Sequence, residues 1–277
     1  MDLALQIERD VAAALAEDVG SGDVTATLTP GAGAVRAQVV ARQDAVLCGR
    51  AWFDACFRQL DPAIDIGWRI EEGARISRGQ VVCGLSGNAR ALLTGERTAL
   101  NFLQLLSAVA TTTSRYVAAV AGTRAKIVDT RKTLPGLRAA QKYAVRVGGG
   151  ANHRMGLYDA ILLKENHIAA FGGVRPAIDA ARKAASPGIW TQVEVETLDQ
   201  LRQAIEGGAT MILLDNMSTD QMREAVNIAA GRAELEASGG VTLDNVRAIA
   251  ETGVDRISIG ALTKDIDAVD YSMRVET

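Results

Sequence analysis

The chain has 277 residues, a formal charge of −3 and 48% hydrophobic residues. This size allows a substantial core in one large or two modest domains, and the charge excludes a polybasic protein with a general affinity for nucleic acid. Three cysteines without Cys-x-x-Cys spacing favour buried thiols in a reducing compartment. We find no signal-like N-terminal segment and no run near the roughly 18 apolar residues of a membrane helix, so we expect a cytoplasmic protein without a membrane partner.

Apolar residues recur at helical spacing from Leu3 to Leu15, which predicts an amphipathic helix that ends near Gly20. Short β-branched runs then predict strands at 35–41, 45–47, 64–70 and 80–85. We therefore predict a sandwich-like N-terminal α+β domain, residues 1–107, on an antiparallel sheet. This domain contains no lysine, which excludes a lipoyl or biotinyl carrier.

A helix with an apolar face follows, and Thr94 is its predicted N-cap. Arg97 then falls in the first turn. From the residues alone, Arg97 is better interpreted as an ordinary exposed helix charge than as a functional residue.

The pattern changes beyond Arg124 to strand alternating with helix. The strand-like runs are 126–129, 160–164, 191–195, 210–215, 233–238 and 256–260. This alternation predicts parallel strands with right-handed crossovers, that is, an incomplete, six-stranded α/β barrel over residues 108–265. We expect the tail, 266–277, to pack on the N-terminal domain. Thr197–Arg202 recurs as Thr242–Arg247 at an offset of 45 residues, which equals two strand–helix units.

Each predicted barrel strand ends in polar residues or glycine, and the carboxyl ends of parallel strands share one rim. Glu194 and Asp215 both end strands without opening an obvious capping box, so we interpret them as functional acids. Carboxylate oxygens are hard metal ligands, and together with the phosphate of a bound ligand they would favour Mg²⁺. The only histidines, His153 and His167, lack zinc-site spacing.

A second feature is a concentration of cationic residues between 128 and 167, close to glycine-rich turns. Its members are Arg131, Lys132, Arg138, His153, Arg154 and Lys164. Exposed backbone N–H groups at Gly148–Gly150 would add to these cations, which indicates a site for carboxylates and phosphates. The turns Ser238-Gly239-Gly240 and Ser258-Ile259-Gly260 precede helical segments and can hold phosphate at a helix N-terminus.

Several long motifs resemble those of the quinolinate phosphoribosyltransferases, the decarboxylating enzymes of NAD biosynthesis also called nicotinate-nucleotide pyrophosphorylases. The motifs are Asp129-Thr-Arg-Lys-Thr-x-Pro-Gly-x-Arg138, Gly148-Gly-x-x-x-His-Arg-x-Gly-Leu157, Ile161-Leu-Leu-Lys-Glu-Asn-His167, Gly95-Glu-Arg-Thr-Ala-Leu-Asn101, Val193-Glu-Val-Glu196, Leu213-Leu-Asp-Asn216 and Ala237-Ser-Gly-Gly240. They cover nearly the whole chain in order.

The resemblance implies a reaction that joins quinolinate to 5-phosphoribosyl-1-pyrophosphate, with Mg²⁺, and yields nicotinate mononucleotide, pyrophosphate and carbon dioxide. Lys132, Glu194 and Asp215 are implied as catalytic, and the two acids as metal ligands. The implied homodimer places Arg97 in the neighbouring subunit's site. The implied substrate-binding residues are Arg97, Thr130, Arg131, Lys132, His153, Arg154, Lys164, Glu194, Asp215, Ala237, Ser238, Gly239, Ser258, Ile259 and Gly260.

Two alternatives remain open. An aldolase-like lyase would use Lys164 to form a Schiff base, favoured if the neighbouring cations lower its pKa. A paralogue of the same fold associated with molybdate transport would use the barrel for another ligand. The intact Asp129–Lys132 and Lys164–His167 motifs favour the phosphoribosyltransferase.

Overall fold

The structure of the protein is a computed structural model that describes residues 2–28 and 33–276. The chain forms two compact units: Met1–Ser114, Thr133–Gly149 and Thr263–Thr277 make the first, and Arg115–Lys132 and Gly150–Leu262 make the second. No helix among the described residues is long and apolar enough to cross a membrane.

The secondary-structure elements of the described residues are numbered in chain order. The helices are α1 Leu3–Val19, α2 Arg50–Leu60, α3 Ala89–Ala119, α4 Arg138–Val147, α5 Glu165–Ala170, α6 Val174–Ala184, α7 Leu198–Glu206, α8 Thr219–Ala229, α9 Val246–Ala250 and α10 Ala261–Lys264. The strands are β1 Ala34–Ala41, β2 Ala45–Val46, β3 Asp65–Trp68, β4 Arg75–Ile76, β5 Val81–Asn88, β6 Lys126–Val128, β7 Ala160–Leu163, β8 Trp190–Val195, β9 Met211–Asp215, β10 Glu234–Ser238, β11 Arg256–Ser258 and β12 Tyr271–Val275.

The first unit is built on an antiparallel sheet with strand order β12-β1-β5-β3. Ala37 of β1 lies level with Leu85 of β5 and with Val275 of the C-terminal strand. Helix α2, which the sequence pattern did not predict, contributes Trp52, Phe53 and Phe57 to the core, all fully buried. The predicted α+β character of this part of the chain is confirmed.

Helix α4 belongs to the first unit, whereas the sequence pattern assigned residues 108–265 to one barrel domain. Three contacts within the unit explain the difference. The ring of Tyr143 lies 5.2 Å from the ring of Trp52, and its hydroxyl donates to Glu72 Oε1 at 3.1 Å. Gly148 also sits so close to Ala110 that a Cβ atom would lie 2.5 Å from the Ala110 carbonyl oxygen.

The predicted start of the long helix at Thr94 is wrong. Helix α3 begins at Ala89, directly after β5, and the side chain of Asn88 accepts from the N–H groups of Arg90 and Ala91 at 3.0 and 3.3 Å. Thr94 lies inside the helix, where its hydroxyl donates to Asp23 Oδ2 at 2.8 Å. The strand passes into the helix without the turn that usually signals such a boundary.

The second unit is built on a six-stranded sheet in the order β6-β11-β10-β9-β8-β7, and every pairing in it is parallel. Among the described residues β6 and β7 are not paired, but Ala151 forms an isolated parallel bridge with Val128 of β6. The prediction of an α/β fold with an incomplete, six-stranded barrel is confirmed.

The internal repeat corresponds to two strand–helix units. Strands β9 and β11 start at Met211 and Arg256, which are 45 residues apart, the offset found in the sequence. In the first copy, Thr197 caps α7 and accepts from Gln200 N at 3.2 Å. In both copies the side chain three residues further on accepts from the N–H of this threonine, Gln200 Oε1 from Thr197 N at 3.2 Å and Asn245 Oδ1 from Thr242 N at 2.8 Å, but α7 begins directly after Thr197 whereas α9 begins only at Val246. The two copies therefore share strand spacing but differ in how the following helix begins.

We predict that Asn88→Ala destabilises the first unit, because it removes the side-chain acceptor at the start of α3. A lost N-cap costs about 1 kcal/mol, which lowers Tm by roughly 2–4 °C in a protein of this size. Circular dichroism melting measures the change. Asn227→Ala, at an exposed position within α8, is the matched control; equal melting temperatures for the Asn88 variant and the unmodified protein would contradict the assignment.

Candidate active site

The second unit contains a cavity of about 510 Å³ whose lining residues lie at or just beyond the carboxyl ends of the parallel strands. This edge is where α/β barrels bind ligands. The cavity is lined by Thr130, Arg131, Lys132, His153, Arg154, Leu162, Lys164, Glu194, Leu213, Asp215, Asn216, Glu236, Ser238, Gly239, Gly240 and Ser258.

Strand alternation decides which side chains reach the cavity. Successive side chains of a strand point to opposite faces of the sheet, and the register places Glu194, Leu213 and Glu236 side by side on neighbouring strands. All three line the cavity, as do Asp215 and Ser238, two residues further along β9 and β10. The residues of the opposite parity are buried and apolar: Val193, Val195, Ile212, Leu214, Leu235 and Ala237.

The structure brings eleven of the predicted site residues together in this cavity: Thr130, Arg131, Lys132, His153, Arg154, Lys164, Glu194, Asp215, Ser238, Gly239 and Ser258. Ala237 is buried on the other face of β10, and Ile259, directly after β11, is buried as well, so neither side chain lines the cavity. A Cβ atom on Gly260 would lie 2.9 Å from Cδ of Lys132, so this glycine leaves room for the lysine. Arg97 is exposed on α3 in the first unit and does not line the cavity.

The cavity is cationic on the side formed by Arg131, Lys132, Arg154 and Lys164. Arg154 is 8% exposed, and its Nη1 donates to the carbonyl of Ala160 at 3.1 Å. Burial, and after it the charge of Arg131, lowers the pKa of Arg154. The charges of Asp159 and Glu194 raise this pKa, and an anionic ligand would act in the same direction, because it would add opposite charge beside the guanidinium.

Two carboxylates face these cations. Burial is the main cause that raises the pKa of Glu194; the nearby charges of Asp215 and Glu165 raise it further, and that of Lys164 lowers it. Glu194 Oε2 lies 3.7 Å from Lys164 Nζ. The two acids repel each other, and Lys164 offsets only part of this repulsion. An additional cation bound between the carboxylates would stabilise both ionised forms.

Buried Asp129 connects the two basic motifs. It is fully buried, and its Oδ1 accepts from the backbone N–H of His153 at 2.8 Å, while Oδ2 accepts from Asn152 Nδ2 at 2.5 Å. Because Asp129 directly follows β6, these bonds hold the His153-Arg154 segment beside the start of the Arg131-Lys132 turn. Residues more than twenty positions apart in the chain therefore line one side of the cavity.

His153 is held by protein groups on both sides of its ring. Nδ1 accepts from the backbone N–H of Arg154 at 2.8 Å, Nε2 lies 2.9 Å from Gln192 Oε1, and the residue is only 9% exposed. A direct contact between the ring nitrogens and a substrate would break one of these bonds. The role of His153 as a carboxylate-binding cation stays a prediction, and the geometry favours a neutral ring that orients its neighbours.

The first glycine turn is shaped by an interlocked pair. Gly239 has φ +99°, and a Cβ atom there would lie 2.0 Å from Asn216 Oδ1. Asn216 itself adopts the left-handed region, with φ 53°, and its Nδ2 donates to Asp215 Oδ2 at 2.8 Å. Glycine at 239 thus permits the asparagine conformation that holds the Asp215 carboxylate.

Sequence reasoning missed some cavity residues. Asn216 is part of a motif but has no predicted role, and Glu236 is only one of the polar residues near a predicted strand end, whereas Gly240 is predicted as part of a phosphate-binding turn. Gln192 is fully buried and does not line the cavity, but it lies in the predicted strand 191–195 two residues before Glu194 and so on the same face of the sheet. Leu162 and Leu213 also face the cavity but carry no chemical signal. Strand parity would have identified Gln192 and Glu236.

In the described part of the chain, no group of three or more His, Cys, Asp or Glu side chains is arranged to hold a metal ion. The pair formed by Glu194 and Asp215 matches the requirement of Mg²⁺, which commonly takes one or two protein carboxylates and completes its shell with water and substrate phosphate.

An α/β barrel-like sheet with a cationic cavity and glycine turns defines a class of proteins that bind phosphorylated, anionic ligands. Family models for the N-terminal and C-terminal domains of quinolinate phosphoribosyl transferase match residues 23–107 and 109–274. The chain belongs to this family.

Individual relatives agree with the family match. The chain is 45% identical to a nicotinate-nucleotide pyrophosphorylase (carboxylating) of Mycobacterium leprae over 94% of each protein. It is 43% identical to a probable enzyme of the same name from Bacillus subtilis, over 94% of this chain and 90% of that protein. The structure of the nicotinate-nucleotide pyrophosphorylase from Francisella tularensis superimposes with a TM-score of 0.95 at 44% identity, covering 99% of this chain and 97% of that one.

We predict that Glu194→Gln abolishes enzymatic activity but raises the melting temperature of the protein at neutral pH. Since the folded-state pKa of Glu194 is raised, the ionised carboxylate opposes folding at pH values above that pKa. The gain should decline as pH falls through the raised pKa, and vanish below the ordinary value of 4.5, where both states are protonated. Calorimetry across this pH range, with exposed Glu206→Gln as control, tests the sign; a destabilised variant at neutral pH contradicts it.

Proposed function

We propose that this chain transfers the phosphoribosyl group of 5-phosphoribosyl-1-pyrophosphate to quinolinate. The ring nitrogen of quinolinate forms a bond to ribose C1 as the bond from C1 to pyrophosphate breaks. The carboxylate beside the ring nitrogen then leaves as carbon dioxide, and a proton replaces it on the ring carbon. The products are nicotinate mononucleotide, pyrophosphate and carbon dioxide, as in the de novo synthesis of NAD.

The observation that carries this proposal is the charge distribution of the cavity. Arg131, Lys132, Arg154 and Lys164 line it together with a carboxylate pair and a glycine turn. A dicarboxylate and a pyrophosphate donor bring several negative charges, and arginine pairs especially well with carboxylates because its planar group donates two parallel hydrogen bonds. The homology of the whole chain to enzymes of this name supports the same reaction.

Within the proposal, Arg131, Arg154 and Lys164 bind the two carboxylates of quinolinate. Lys132 lies against Gly260 and binds the phosphate groups, with the turns at 238–240 and 258–260 supplying backbone N–H groups. Glu194 and Asp215 lie where the ribose would stand. Departure of pyrophosphate develops positive charge on the ribose, so two nearby carboxylates favour the transition state by electrostatics, and no protein nucleophile is needed.

Mg²⁺ is part of the proposal as a cofactor. Glu194 and Asp215 would hold it, since they offer hard oxygen ligands and their mutual repulsion contributes to the raised pKa of Glu194. When bound, the ion would neutralise phosphate charge. Lys132 and the glycine turn would still orient the donor.

A homodimer with Arg97 acting in the neighbouring subunit's site completes the proposal. Its support is that Arg97 is exposed on α3 and is absent from the cavity lining of its own chain.

A cytoplasmic location belongs to the same proposal. It is supported by Cys48, Cys56 and Cys83, which are buried, free thiols, consistent with a reducing compartment.

The Schiff-base alternative is disfavoured by the surroundings of Lys164. Its nitrogen lies 3.7 Å from the Glu194 carboxylate, so the atom that would have to attack a carbonyl is already engaged in an ion pair. The alternative of a molybdate-transport paralogue does not require the dicarboxylate-binding cations, and the relatives reported above carry the enzyme's name.

We predict a preference for quinolinate over nicotinate of roughly 10⁴-fold or more in kcat/KM, because nicotinate lacks the second carboxylate that the cationic side of the cavity, with its buried Arg154, is proposed to bind. Steady-state assays with both acids measure the ratio. Arg154→Gln should reduce the ratio mainly by slowing the reaction of quinolinate, whereas Arg202→Gln, in a surface ion pair, should leave it unchanged. Similar values for both acids in the unmodified protein would refute the proposed specificity.

We also predict that activity requires a divalent cation. Excess chelator should abolish turnover and added Mg²⁺ should restore it, since two carboxylates and pyrophosphate need a shared counter-charge. Undiminished turnover in chelator contradicts the cofactor assignment without affecting the assignment of the substrates.

Shared active sites predict complementation between inactive variants. Arg97→Ala and Lys132→Ala each remove one side chain from different parts of the proposed shared site, so a mixed dimer retains one intact site. Subunit exchange should recover activity from the mixture but not from either variant treated alone. Proven mixed dimers without activity would exclude sharing.

A further inference from the structure

Beneath the cations of the cavity lies a buried polar chain that joins β8, β10 and the His153 segment. Gln192 is fully buried and Glu236 is 1% exposed. Gln192 Nε2 donates to Glu236 Oε2 at 3.1 Å, and Gln192 Oε1 lies 2.9 Å from His153 Nε2. A buried polar group destabilises the folded state unless it is hydrogen-bonded. The pairing of these three side chains therefore restricts which of their atoms can carry a hydrogen.

The hydrogen-bond roles fix the orientation of the Gln192 amide. An ionised carboxylate can only accept, so Glu236 requires the NH₂ group of Gln192 to face it. The amide oxygen is then left to face His153, and the ring must donate from Nε2. On the other side of the ring, the N–H of Arg154 already points at Nδ1, which must therefore accept. Both constraints select the same neutral tautomer, with hydrogen on Nε2.

Two further contacts support this tautomer. Glu236 Oε1, which has no hydrogen-bond partner among the described residues, lies 3.7 Å from His153 Nε2 and favours a hydrogen on that nitrogen. Arg256 Nε lies 3.2 Å from Glu236 Oε2 and supplies the charge that balances the buried carboxylate. The indole of Trp190 packs against the imidazole edge to face, with centroids 5.1 Å apart, and so restricts rotation of the ring.

This series of buried polar groups, from Glu236 through Gln192 to His153, ends at the backbone N–H of Arg154. Because Nδ1 of His153 accepts from Arg154 N at 2.8 Å, the imidazole holds the backbone from which the Arg154 guanidinium reaches the cavity. A ring with hydrogen on Nδ1 would set two N–H groups against each other at this point. The tautomer of His153 and the placement of Arg154 are therefore coupled.

We propose that Gln192 and Glu236 are positioning residues that hold His153 as the Nε2–H tautomer and, through it, set Arg154 for the carboxylates of quinolinate. The kinetic part of this inference rests on the proposed function, whereas the tautomer is a property of the protein alone. The two parts therefore have separate readouts.

The first experiment is nitrogen-15 NMR of the histidine side chains at neutral pH. The chain contains two histidines, so His167→Gln assigns both spin systems. We expect the Nε2–H pattern for His153 in the unmodified protein. Gln192→Met, which keeps the volume but removes the amide, and Glu236→Gln, which lets the Gln192 amide reverse, leave the Arg154 N–H as the one remaining contact of the two that select the tautomer, so both should move the pattern toward a mixture of tautomers. A charged or Nδ1–H ring in the unmodified protein, or an unchanged pattern in both variants, overturns the proposal.

The second experiment separates positioning from general damage. Leaving buried hydrogen-bonding groups unpaired weakens the placement of Arg154, so we expect Gln192→Met and Glu236→Gln to raise KM for quinolinate about tenfold, with KM for the pyrophosphate donor changed less than about twofold. Exposed Gln203→Met is the matched control and should change neither. Equal losses for both substrates would overturn the positioning role. An unmodified protein without activity toward quinolinate would instead refute the proposed function, while the NMR result would stand.

Discussion

Alternation along the parallel strands is the constraint on which the site depends. Each strand must bury one face against the helices and present the other to the interior, so every second position is free to carry polar chemistry. Glu194, Asp215, Glu236 and Ser238 occupy such positions, and apolar residues alternate with them. The barrel strands can therefore carry the polar residues of the cavity on one face and keep, on the other face, the apolar layer that packs against the helices.

The interior polar residues form two layers with different electrostatics. In the lower layer, Gln192 and Glu236 satisfy their neighbours with hydrogen bonds inside the protein. In the upper layer, burial lowers the pKa of Arg154 and raises that of Glu194, which means that both charged forms are disfavoured as the protein stands. The lower layer supports a defined geometry, and the upper layer holds the unfavourable electrostatics that a charged ligand would relieve.

The sequence predicted the features that depend on local pattern. Six apolar runs located the six barrel strands, and polar residues at their ends located the rim where Lys132, Lys164 and Asp215 meet. Helix α2 was missed because its N-cap residue, Gly49, makes no side-chain cap hydrogen bond. The start of α3 was missed because its cap, Asn88, is also the last residue of β5, so no turn separates the strand from the helix. The bond between His153 and Gln192 was missed because it joins residues 39 positions apart through specific side-chain atoms. The proposed role of Arg97 depends on the assembly of two subunits, and the periodicity of a single chain carries no information about that assembly.

The interlock between Gly239 and Asn216 also limits how this site can change during evolution. Any side chain at 239 would collide with the amide of Asn216 at 2.0 Å, and a new residue at 216 would have to accept the left-handed backbone as well as support Asp215. Neither position can therefore drift alone, and a viable path needs compensating substitutions in a restricted order. Such epistasis makes the pair a conservative element of the rim, whereas Leu162, which contributes only apolar surface there, is free to vary.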